Sequence, residues 1–161
     1  PHPFWQWPWV EIATSAVKVK TAIVHDDKHE SGMRELLNLG HTFAHGYEQA
    51  SGYRITHGAA VALGLRAAGL LALRTKRFSA HEHLRVLALL ALLRLPMQSS
   101  LSPDAVYAAM QSDKKKRGGK LRFVLPREIG DVEYGVECSP AKVLGVLGSM
   151  QRAPKDAETR P

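Results

Sequence analysis

The stretch that most limits the possible folds of this chain is "HGAAVALGLRAAGLLALR", from His57 to Arg74. It is apolar on nearly every side, which is the pattern of a helix buried among other elements. Arg66 interrupts it, and the apolar run is short for a membrane span. Gly58, Ala59, Ala60, Gly64, Ala67, Ala68 and Gly69 leave little side-chain bulk, so neighbouring helices can approach closely. The 161 residues are 45% hydrophobic, enough for one domain with a sizeable core. The reading is a single helical domain over residues 1–152 and a disordered tail over 153–161.

The elements around this helix follow from local signals. "WVEIATSAVKVKTAIVH" predicts a helix from Trp9 to His25 by length, although its Val and Thr content opposes helix formation. "DDKHESG" is a polar connection, and a helix is expected from Gly32 to Ala50. "SGYRIT" reads as a loop. "AHEHLRVLALLALLRL" predicts a helix stopped by Pro96. Ser102 is a candidate N-cap, with Pro103 at N1 and Asp104 in the first turn. "KKKRGGK" is a basic turn. "LRFVLP" and "DVEYGVE" have strand character and pair as a hairpin. Ser139 and Pro140 repeat the Ser-Pro helix start. The fold class is mainly α, with a small β-hairpin near the C-terminus.

Net charge is +7, which permits phosphate, nucleic acid or other anions as ligands without choosing among them. The single cysteine, Cys138, excludes an internal disulfide and fits a reducing, cytoplasmic setting. The start, "PHPFWQWPWVE", lacks the basic and apolar regions of a signal peptide. Residues Pro1 to Pro8 read as irregular, and Trp5, Trp7 and Trp9 would be unusual on the surface of a free monomer. With Pro1 in place of an initiator methionine, the chain is expected to be processed or a piece of a longer protein.

"RELLNLGHTFAHGYE", from Arg34 to Glu48, carries the most unusual polar residues. At about 100° per residue, Arg34, Asn38, His41 and His45 fall on one helical stripe that Glu48 extends. Leu36, Leu39, Phe43 and Tyr47 lie opposite as a core face. A solvated stripe usually carries better helix formers than Asn and His, and Gly40 costs about 1 kcal/mol relative to Ala. Such costs point to a close approach by a ligand or by another helix. A solvated face with incidental histidines is the competing reading. The His41–His45 spacing can hold a metal, but "HExxH" is absent, so zinc-peptidase logic does not apply. His57, at the start of the next helix, can point back across the turn, and a metal could then bridge two helices. Catalytic zinc takes three protein ligands and keeps one position open. The other histidines are placed less usefully: His2 in the Pro-rich start, His25 and His29 beside acidic residues, His81 and His83 at the head of a surface helix.

"KTAIVHDDKHESGMRELLNLGHTFAHGYEQASGYRITHGAAVALGL" closely resembles the C-terminal domain of the 3-dehydroquinate synthase family. "SDKKKRGGKLRFVLPREIG" resembles a second segment of that family in the same order. The resemblance runs from about Val17 to Val136. It combines Lys…Gly-x-Arg-x3-Asn-x-Gly-His-Thr-x2-His, a His-Gly at the next helix start, and a downstream Asp-Lys-Lys. The family is a carbon–oxygen lyase of the shikimate pathway. It converts 3-deoxy-arabino-heptulosonate 7-phosphate to 3-dehydroquinate and phosphate, using NAD and zinc or cobalt. The resemblance implies that His41 and His57 are metal ligands, and that Lys20, Arg34, Asn38 and His45 contact substrate, with Lys20 and His45 catalytic. One or both of Lys114 and Lys115 match the family's anion-binding lysine. It further implies a homodimer and an N-terminal domain that binds NAD.

This chain departs from the family pattern in three places. No Gly-rich βαβ unit occurs in it, and the family's third metal ligand, a glutamate, lies upstream of the matched segment. Ala59 stands where the commonest family pattern has glutamate. The chain is therefore expected to be inactive by itself and to hold metal weakly through its two histidines. Rival readings are a related sugar-phosphate cyclase of the deoxy-inosose or valiolone type, a scaffold with incidental histidines, and a nucleic-acid-binding module built on "KKKRGGK". No aromatics are interleaved with that basic run, so neither nucleic acid nor membrane is expected as a partner.

Overall fold

In a computed structural model, residues 4–27, 32–116 and 120–152 are described, without the side chains of residues 4 and 113–116. The apolar helix is the centre of the packing. It runs over His57–Arg74 as α3 and buries Leu63, Gly64, Ala67, Ala68, Gly69 and Leu71 among others. The remaining elements, in chain order, are α1 (Trp9–Asp26), a 3-10 turn (Met33–Asn38), α2 (His41–Ala50), α3, α4 (Ala80–Leu92), α5 (Pro103–Lys116), β1 (Arg122–Glu128), β2 (Asp131–Glu137) and α6 (Pro140–Met150). The helical class with one antiparallel hairpin is the one the sequence predicts.

α2 lies between α3 and α5, while β1 and α6 cover other parts of α3. Phe43 and Tyr47 of α2 meet Phe123 of β1 and Met150 of α6 in the resulting core. The rings of Phe43 and Phe123 have centroids 5.1 Å apart. Two polar contacts fix the hairpin to the helices. The Thr42 hydroxyl donates to the Arg122 carbonyl at 3.0 Å, and the Ile129 amide donates to the Glu82 carboxylate at 2.8 Å.

Most helix ends are where local chemistry puts them. The Ser79 side chain accepts from the Glu82 amide at 3.1 Å, and the Ser79 hydroxyl donates to the Glu82 carboxylate at 3.0 Å. This couples the cap to the first turn of α4. The Ser102 hydroxyl accepts from the Ala105 amide at 3.1 Å ahead of Pro103. α4 ends at Leu92, before Pro96, with Arg94 in a left-handed conformation at φ 54°.

The expected helix over Gly32–Ala50 is broken, and the break has a packing cause. Gly40 takes φ +79° and separates the 3-10 turn from α2. A Cβ on Gly40 would lie 2.8 Å from the Gly64 carbonyl carbon, and one on Gly64 would lie 2.2 Å from the Gly40 oxygen. The two backbones touch, so neither position has room for a side chain. The helix cost at Gly40 thus reflects the approach of another helix. The single stripe from Arg34 to Glu48 does not form, because the two halves belong to different elements.

Two further corrections concern the surface. His83 is buried at 6% exposure, although its sequence neighbours His81 and Arg85 are exposed. It fits because Gly69 lacks a side chain: a Cβ there would lie 2.7 Å from His83 Nδ1. α1 forms as expected but buries none of its residues; Val10, Val17 and Val19 are 81%, 61% and 60% exposed. The start is not wholly irregular, since Phe4–Gln6 form one 3-10 turn. No described helix is long and apolar enough to cross a membrane. The tail expected over 153–161 and the centre of the basic turn, 117–119, lie outside the described residues.

Candidate active site

The chain leaving α1 is turned by a buried carboxylate. Asp27 is 2% exposed, and its Oδ2 accepts from the Gly32 amide at 3.1 Å and from the Arg34 amide at 3.0 Å. These bonds satisfy amides at the head of the 3-10 turn and set its position against α1. Lys20 of α1 then faces the same space as Arg34 and Asn38 of the turn and His41 at the head of α2. Together with Gly32, Glu35 and Leu37 they line a cleft of about 610 Å³. Two cations, an amide and an imidazole in one cleft make a site for a polar anion.

His41 also belongs to a cluster of rings. Its centroid is 5.9 Å from that of His45, with the rings perpendicular, and 5.6 Å from that of His57, with the rings tilted by 57°. His57 opens α3 and reaches back to α2, where its Nδ1 lies 3.0 Å from Glu48 Oε1. His41 Nδ1 lies 3.3 Å from the Leu39 carbonyl. Bonds of about 2.0–2.1 Å to zinc at a tetrahedral angle put the centres of two ligating imidazoles roughly 5 Å apart. Both ring pairs are near that separation, so distance alone does not choose the partner of His41. The Nδ1 contacts of His41 and His57 suit both rings to ligation. A carbonyl and a carboxylate accept from Nδ1–H, which leaves Nε2 as the donor atom of each ring. His41 and His57 therefore fit as part of a metal site. Among the described residues, no group of three or more His, Cys, Asp or Glu is arranged to hold a metal ion.

Of the residues singled out from the sequence, Lys20, Arg34, Asn38 and His41 share the cleft. His45 and His57 flank His41. Lys114 and Lys115 fall in the last turn of α5, and their side chains lie outside the described residues. Sequence reasoning missed Asp27, the Leu39 carbonyl and the partnership of Glu48 with His57. Glu48 had a visible signal, its place one turn beyond His45. Nothing in the spacing of Asp27 marks it. Cys138 is no candidate nucleophile, since burial pushes its thiol pKa up.

The fold defines a class, a helical domain shared with sugar-phosphate cyclases. A 2-epi-5-epi-valiolone synthase (ValA) from Streptomyces hygroscopicus subsp. jinggangensis 5008, solved with NAD+ and Zn2+ bound, superposes with a TM-score of 0.77 at 27% identity, covering 88% of this chain and 39% of that one. A 2-deoxy-scyllo-inosose synthase, complexed with carbaglucose-6-phosphate, NAD+ and Co2+, shares the fold with a TM-score of 0.71 at 24% identity, over 83% of this chain and 40% of that one.

Within that class the chain belongs to the 3-dehydroquinate synthase family, whose C-terminal family model ("3-dehydroquinate synthase C-terminal") matches residues 6–116. It is 45% identical over 136 residues to the 3-dehydroquinate synthase of Gloeobacter violaceus, covering 83% of this chain. It is 39% identical over 142 residues to that of Pyrococcus abyssi, covering 88% of this chain. The chain spans 37% and 41% of the length of these two relatives.

Proposed function

We propose that this chain supplies the metal- and substrate-binding half of a cytoplasmic, homodimeric 3-dehydroquinate synthase. The reaction converts 3-deoxy-arabino-heptulosonate 7-phosphate to 3-dehydroquinate and phosphate. The observation that carries the reading is the cleft in which Lys20, Arg34, Asn38 and His41 meet, with His57 beside His41.

The substrate has a carboxylate and a phosphate, so a binding site must supply fixed positive charge. Arg34 grips one oxyanion with its planar fork, and Lys20 acts as a point charge. The Asn38 amide hydrogen-bonds a hydroxyl and orients the carbon chain. His45, one turn along α2 from His41, holds or moves a proton. Lys114 and Lys115 add charge for the anionic groups. His41 and His57 would hold a zinc or cobalt ion, which when bound would supply Lewis-acid polarisation of substrate hydroxyls. A domain outside this chain binds NAD and contributes the remaining metal ligand. By itself the chain binds metal weakly and does not turn over.

A valiolone- or deoxy-inosose-type activity is the second reading, favoured by the two structural likenesses. The sequence likeness to 3-dehydroquinate synthases outweighs it. The test is a chimera in which this chain replaces the matching part of the Gloeobacter violaceus relative. With NAD and zinc it is expected to release phosphate from 3-deoxy-arabino-heptulosonate 7-phosphate. Arg34→Ala should lower kcat/KM at least about 100-fold, the scale of a misplaced substrate. A folded, NAD-binding chimera that turns over only a sugar phosphate lacking the carboxylate would establish the second reading instead.

A further inference from the structure

We infer that Glu48 is a positioning residue for His57: it holds Nδ1–H of the ring and so presents Nε2 to a divalent cation. The inference rests on the reading of His57 as a metal ligand. His57 opens α3, where its own helix gives the ring little lateral support, and its side chain is 61% exposed. Left to itself, an exposed imidazole samples several rotamers and both neutral tautomers. Glu48 removes that freedom from the neighbouring helix. Its side chain is only 15% exposed, on the well-packed α2, and its Oε1 meets Nδ1 at 3.0 Å. A carboxylate is an acceptor only, so a neutral ring beside it carries its proton on Nδ1 and its lone pair on Nε2.

His41 is treated in the same way by a different group. Its Nδ1 faces the Leu39 carbonyl at 3.3 Å, immediately before the Gly40 break. One ring is set by the backbone kink and the other by a side chain on the helix that follows the kink. Both leave Nε2 as the donor atom, with centroids 5.6 Å apart. A histidine ligand whose second nitrogen is bonded to a carboxylate is better oriented and more basic toward metal, and loss of such a partner typically weakens binding 10–100-fold. Ala59 gives this need a local reason, because the second residue after His57 offers no carboxylate of its own.

The test uses the 161-residue chain, with Glu48→Ala and Glu48→Gln variants; Gln keeps the acceptor oxygen and removes the charge. Ring nitrogen NMR of the metal-free chain reads the tautomer directly. Wild type and Glu48→Gln are expected to carry the His57 proton on Nδ1, and Glu48→Ala to shift toward Nε2–H. Zinc titration by calorimetry should weaken about 10–100-fold in Glu48→Ala and stay near wild type in Glu48→Gln. An unchanged His57 ring, or unchanged zinc affinity, in a folded Glu48→Ala chain overturns the inference. A ring that obeys Glu48 in a wild-type chain that takes no zinc overturns the metal reading, not the hold of Glu48 on the ring.

Discussion

His83 shows how a single neighbour decides what a residue does. Its Nδ1 is buried with no hydrogen-bond partner among the described residues, packed on Gly69 and edge-on to Phe78 at 6.3 Å between centroids. Burial, helped by the positive charge of Arg66, lowers its pKa below the ordinary histidine range. The unfolded chain then binds a proton more readily than the folded one, so stability rises with pH across that window. Stability is full above an unfolded-state pKa of about 6.5. It falls as pH drops from there toward the lower folded-state pKa, by at most about 1.4 kcal/mol per pH unit from this residue. His83→Leu should flatten that acid slope in denaturant melts measured from pH 7 to 5; an unchanged slope would show that His83 is not its source. Phe43 and Tyr47 were legible as core residues from helical spacing. His83 was not, because the residue that makes room for it is an absent side chain on another helix. The same holds for Asp27, whose partners at Gly32 and Arg34 are backbone amides with no mark in the sequence.

Elements were legible where their ends have local chemistry. The Ser-Pro starts of α5 and α6 and the apolar run of α3 all appear where the residues place them. The break at Gly40 was legible only as a cost. Its cause is Gly64, 24 residues away in sequence and in backbone contact in space. Because this kink places the Leu39 carbonyl against His41, the same contact shapes the site. Gly40→Ala must place a Cβ at φ +79° against the Gly64 backbone. The left-handed conformation costs about 1–2 kcal/mol, and relieving the overlap about 1–3 kcal/mol more. Gly64→Ala lacks the first cost but meets the Gly40 oxygen more closely. Gly40→Ala is expected to lose about 2–5 kcal/mol and Gly64→Ala about 1–3 kcal/mol in chemical denaturation. Gly58→Ala is the control, since a Cβ there meets nothing within 4 Å, and it should change stability by less than about 0.5 kcal/mol. Equal stability in all three would contradict the close backbone contact.

At the scale of the molecule, half of a site was legible and the rest required coordinates. The stripe from Arg34 to Glu48 does not form, yet three of its residues, Arg34, Asn38 and His41, share one cleft. Arg34 and Asn38 reach the cleft from a 3-10 turn, while His41 reaches it from a different helix, with His45 beside it. The basic side of the cleft depends on Lys20, carried by α1, a helix that buries none of its own residues. That helix leaves Val10, Val17 and Val19 exposed. The central claim is that His41 and His57 share one ion at the edge of this cleft. Crystals of the chain grown with zinc, measured at the zinc absorption edge, test it most directly. The expected result is an anomalous peak about 2.0–2.1 Å from Nε2 of both His41 and His57, lost in His57→Ala. A peak between His41 and His45 that survives His57→Ala, or zinc found only at His25 or Cys138, would contradict it.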